Sequence, residues 1–96
     1  MAVAKITRVT RAQGILAAYW DFSFVLSNTN GTVFEGTITL QEARFFASHH
    51  DFGPVAEMCR TIDATPFAEF SWLAGRVFVG KLDGALASLL PEDAPV

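Results

Sequence analysis

Between Trp20 and Leu26, apolar and polar side chains alternate: Trp20, Phe22, Phe24 and Leu26 fall on one side, Asp21, Ser23 and Val25 on the other. The same period of two returns from Thr32 to Leu40, where Phe34, Ile38 and Leu40 oppose Glu35, Thr37 and Thr39. Strict alternation marks a strand with one buried face. Thr29-Asn30-Gly31 between the two runs suits a three-residue hairpin loop with glycine in the left-handed position. That register sets Leu26 opposite Phe34, Phe22 opposite Ile38 and Trp20 opposite Leu40, and it lays the Phe24 ring over Gly36. Turn chemistry and hydrophobic phase point independently to the same hairpin.

Residues 3–10 are rich in β-branched side chains and predict another strand, at a sheet edge. Lys5, Arg8 and Arg11 would guard that edge. They also form a candidate basic patch for an anionic ligand.

The period then changes. Thr39-Leu40-Gln41-Glu42 is a capping box, and a helix to about His50 should follow, with Ala43, Phe46, Ala47 and His50 on one face. Gly53-Pro54 restarts the chain with proline at the first position of a second helix, whose apolar face is Val55, Met58, Cys59 and Ile62. The stretch from Asp63 to Pro66 ends it. Residues 67–82 admit two readings. One is a helix opened by Thr65-Pro66 and closed by Gly75; the other is a hairpin turning at Ala74-Gly75 that sets Trp72 against Val77 and Phe70 against Val79. Aromatic and β-branched content favours the hairpin. Asp83 caps a short last helix from about Gly84 to Leu90, and 91–96 reads as a mobile tail.

The expected fold is therefore a single α+β domain over residues 1–90, of order βββααββα. Its antiparallel sheet is built from two hairpins and an N-terminal edge strand, with two or three short helices on one face. That order resembles small dimeric secretion chaperones without their first helix, a likeness of element order that implies nothing specific about function.

Composition adds a reason to expect a partner. Counted with glycine and without tyrosine, about 57% of the 96 residues are apolar, against a usual ~45–50%. Only 18% are charged, where ~25% is ordinary. A domain of this size buries only about 60% of its unfolded surface, so part of the apolar excess must face outward, where large patches mark interfaces. A net charge of -3 argues against general nucleic-acid binding, which needs a basic face. No run approaches the ~20 apolar residues of a membrane span. No secretory leader is expected either, since the apolar run 14–20 is short and Asp21 ends it. A single cysteine makes no internal disulfide and suits a reducing cytoplasm.

Ser48-His49-His50-Asp51 and the lone Cys59 are the candidate chemistry. Adjacent histidines on a helix point about 100° apart and do not share an ion, and structural zinc needs about four ligands. Cys59 lies on an apolar stripe, where a free cysteine is an inert small hydrophobe. Only residue identity suggests Cys59, a histidine and Asp51 as a nucleophilic set. Gly75 to Lys81 fits the Gly-x4-Gly-Lys part of a phosphate-binding loop, but Leu82 stands where a magnesium-holding hydroxyl belongs. No catalytic residue, metal or cofactor is expected.

Several side chains do not fit the core pattern. Tyr19, Phe45, His49 and Phe78 are candidate interface residues, because aromatics are enriched at interface centres. The functional expectation is a non-catalytic, cytoplasmic, self-associating protein that binds another protein. It would be an inhibitor or accessory factor of the kind phages and mobile elements encode. The alternatives are a structural subunit of a larger assembly, and a small enzyme or ligand binder with a pocket between subunits.

Overall fold

In the computed structural model, residues 2–13, 18–29, 31 and 33–81 are described. The last helix and the tail expected beyond Leu82 lie outside them. Strand β1 (Ala2–Gln13), β2 (Ala18–Asn28), β3 (Val33–Thr39) and β4 (Val77–Gly80) form one antiparallel sheet of order β3-β2-β1-β4. Helix α1 (Leu40–His49), helix α2 (Pro54–Ala64) and a 3-10 helix (Phe67–Leu73) cover one face. This is the α+β architecture the patterning predicts.

The β2–β3 hairpin has the expected register, with Phe22 opposite Ile38, Phe24 opposite Gly36 and Leu26 opposite Phe34. Gly31 takes φ 83°, the left-handed region its loop requires. The capping box is also present: Glu42 N donates to Thr39 Oγ1 at 3.1 Å, and Thr39 N donates to Glu42 Oε1 at 2.9 Å. It turns the chain from the end of β3 straight into α1. Val55, Met58, Cys59 and Ile62 of α2 are all buried, as their spacing predicts.

Two expectations need correction. The N-terminal strand is not a simple edge: β4 pairs with its first part, from Ala2 to Lys5, so there β1 is interior. Alternation shows which face of a strand is buried but not which strands flank it. The second hairpin does not form. Gly75 turns the chain at φ 90°, but Gly75 N donates to Ile6 O at 2.7 Å and Ile6 N to Arg76 O at 3.0 Å, so the chain pairs with β1 instead of folding back.

The other arm of that hairpin is the 3-10 helix. Its i, i+3 repeat stacks Phe67, Phe70 and Leu73, and Phe70 is fully buried. The Phe70 ring meets Phe22 edge-on at 5.2 Å and Trp20 at 5.0 Å. Tertiary packing of these rings outweighs the strand propensity of the segment.

Between Ile6 and Arg8 the β1–β2 register shifts, a bulge at Thr7, whose hydroxyl donates to Ser23 O at 3.2 Å. Before it, Ala2, Ala4 and Ile6 face the helices; after it, Val9 opposes Phe22 on that same side. The extra residue inverts the parity of the strand.

Candidate interaction surfaces

The bulge decides what becomes of the basic patch. Lys5 opposes Val25 and Arg8 opposes Ser23, both on the sheet face away from the helices. Arg11 opposes Trp20 and lies 5.9 Å from the centre of its ring, on the helix side. The three cations therefore do not share one face.

The histidines also diverge. His49 stacks on Phe45 with ring centres 4.1 Å apart, and His50 stacks on Phe46 at 3.9 Å. His49 Nδ1 lies 2.9 Å from both Phe45 O and Ser48 Oγ. Each ring thus lies over the phenyl one turn back, held to its own helix. Cys59 is fully buried, and burial pushes its thiol up to about 12, an effect the nearby Arg60 charge opposes only in part. A thiol so held is neutral and a poor nucleophile near pH 7. The phosphate-loop look-alike contains β4, a paired strand whose amides do not wrap an anion.

Of the candidate interface residues, Phe45 is 66% exposed and Tyr19 and His49 are also exposed. Phe78 is not. Its ring is buried in the core, and on β4 it is Val77 and Val79 that face outward. Four residues of alternation could be set in either phase, and contact with α2 and β1 selects the phase that buries the phenyl.

Two surfaces gather Phe45, Tyr19, Val33, Val77 and Val79, while the exposed Phe52, Phe67 and Trp72 lie outside both. The first is a groove of about 530 Å³ between β3 and α1, walled by Phe24, Phe34, Ile38, Phe45, Phe46 and Val55. Gly36 forms part of its floor, and a Cβ there would meet Phe24 Cζ and Phe34 Cε1 at 3.0 Å. The polar groups at its margin are Thr37, Gln41 and Glu42. β3 is an outer strand seven residues long, with no proline, lysine or bulge along it. Edges are normally blunted by such devices; here Glu35 is the one charge on the strand, and no strand among the described residues pairs with its outer side.

The second surface is the sheet face that none of the described helices covers, which carries Val33, Val77, Val79 and Tyr19 beside Lys5, Arg8, Asp21 and Glu35. Sequence reasoning placed Tyr19 there, but missed the valines of β4 because it assigned them to a buried face. No helix among the described residues is long and apolar enough to cross a membrane. No known protein family matches the chain, and neither curated proteins nor solved structures give a match.

Proposed function

We propose that the protein works without catalysis: it binds another protein by accepting an extended segment along β3, and it also self-associates. The observation that carries the first part is the apolar groove beside an edge strand that no other described strand pairs with on its outer side. Strand addition needs these two things together, because main-chain hydrogen bonds supply affinity and adjoining pockets for alternate side chains supply specificity. Phe45 stands over the groove with two thirds of its surface exposed, the position of an aromatic anchor. The groove margin offers the Thr37 hydroxyl, which lies 3.4 Å from Ser23 Oγ, the Gln41 amide, and the Glu42 carboxylate, which accepts from Thr39 N. The hydroxyl and the carboxylate are thus each engaged elsewhere, and binding is the better reading than chemistry. An inhibitor or accessory factor, such as a phage or mobile element encodes, would act in this way. A reducing cytoplasm suits its buried free thiol.

The test is quantitative capture from host lysate with the wild-type chain and with Phe45→Glu, followed by hydrogen exchange on the captured complex. A partner retained by the wild type should be lost by the variant, and binding should slow exchange of the β3 amides. The variant itself should differ in stability by no more than about 0.5 kcal/mol, as surface substitutions do. A partner held equally by both chains, or one that leaves β3 exchange unchanged, refutes the reading.

A further inference from the structure

The register of the four strands fixes the layout of the open face row by row. Val33, Ser27, Val3 and Val79 form one row from β3 to β4, and Glu35, Val25, Lys5 and Val77 form the next. Thr37, Ser23 and Arg8 follow, then Thr39, Asp21 and Thr10. Both ends of the first row are apolar and exposed, Val33 at 56% and Val79 at 59%. The charges are sorted by strand: the acids Asp21 and Glu35 stand on β2 and β3, and the bases Lys5 and Arg8 on β1. Among the described residues none of these four is in an ion pair.

We propose that two copies of this chain pack through these open faces, about a two-fold axis lying between the sheets, parallel to the strands and midway between β1 and β2. The proposal rests on the self-association part of the function above and adds its surface and symmetry. Such an axis carries β1 of each copy over β2 of the other, and β4 over β3. Val79 then faces Val33 of the second copy at both ends of the contact. Lys5 lies over Val25, one strand spacing of ~4.8 Å from Glu35, a span its side chain covers between sheets ~10 Å apart. Arg8 lies over Ser23, between the rows of Glu35 and Asp21. Each copy's bases therefore meet the other's acids twice, once on each side of the axis.

The perpendicular choice fails on the same layout. An axis across the strands would set β1 over β1, Lys5 of each copy against Arg8 of the other, and the valine row against Thr39, Asp21 and Thr10. Like charges brought together in this way cost association.

Four strands ~4.8 Å apart and about 20 Å of strand length bound the flat footprint at roughly 380 Å² per copy, and β4 reaches only the first two rows. Both copies together come to no more than about 760 Å² flat, below the roughly 1,000 Å² a stable interface clears, so side chains standing out from the sheets must supply the rest.

The experiment is sedimentation equilibrium and light scattering on the full chain over the micromolar range, for the wild type and four variants. The wild type should reach twice 10.4 kDa. Val33→Lys combined with Val79→Lys should leave a folded monomer. Lys5→Glu and Glu35→Lys should each weaken the dimer about tenfold, and the two together should restore most of that loss, because the pair is re-formed between copies. A wild type that stays monomeric at high micromolar concentration overturns both this proposal and the self-association behind it. That includes the case in which the valine variants lose stability because residues 82–96 cover the face. A dimer indifferent to the four variants but lost in Phe45→Glu overturns the face and keeps the self-association. An open-ended polymer overturns the two-fold, since an isologous contact closes at two copies.

Discussion

Phe70→Ala and Trp72→Ala give opposite results if residues 67–73 form a 3-10 helix, and similar results if they form the arm of a hairpin. In the hairpin, Phe70 and Trp72 share the buried face. In the 3-10 helix, Phe70 is fully buried against Phe22 and Trp20, while Trp72 is 73% exposed. Removing a buried phenylalanine ring costs about 3–5 kcal/mol, from lost burial and the cavity left behind. The upper part of that range applies here, because the two edge-on ring contacts each add about 0.5–1.5 kcal/mol beyond area. Trp72→Ala removes an exposed ring and should shift stability by no more than about 0.5 kcal/mol. The assay is urea denaturation followed by far-ultraviolet circular dichroism. With an m-value of about 1.5 kcal/mol/M, the Phe70 variant should lose about 2 M or more from its midpoint and the Trp72 variant under about 0.4 M. In a domain whose whole stability is about 5–15 kcal/mol, the first loss is a large share. Comparable losses for both variants would refute the 3-10 packing and restore the hairpin.

The Cys59 thiol should resist aromatic disulfide reagents in the native state and react only at the rate of unfolding. Its folded pKa is raised from 9.0 to about 12, so the stability linked to it is fully present below about pH 9 and is lost as pH climbs toward 12. Over that window Cys59→Ala should lack a slope of about 1.4 kcal/mol per pH unit that the wild type has; identical slopes would show the thiol to be solvated. Gly36→Ala should cost about 1–2 kcal/mol in chemical denaturation, because the new methyl meets the Phe24 and Phe34 rings at 3.0 Å and must displace them. A stabilised alanine variant would mean that those rings move aside freely.

The hairpin, the capping box and the apolar stripe of α2 were legible because each is written in local spacing. Alternation gives the buried face, Gly31 gives the turn, and Thr39 with Glu42 gives the helix start. What was not legible depended on partners distant in the chain. The pairing of β1 with β4 joins residues more than seventy positions apart. The segment from Phe67 to Leu73 carries strand-forming residues, yet its conformation is decided by Phe22 and Trp20 on another element. One inserted residue at Thr7 reversed the outlook of everything after it on β1, and no composition rule marks a bulge that lacks glycine.

The surface residues divide for the same reason. Phe45 and His49 belong to a helix whose cap and stripe are local, so the off-stripe position of Phe45 was enough to place it outside. Phe78 belongs to a strand of four residues whose only phase information comes from what packs on it. On β4 two valines and one phenylalanine compete for one buried face, and burying the larger ring removes more apolar surface from water. The cost of that choice is that Val77 and Val79 are left outward on an outer strand, beside Val3 on β1 and across the sheet from Val33 on β3. The apolar excess read from composition thus lies partly in the Phe45 groove and partly on the open face. These are two separated surfaces, one for each half of the proposed function.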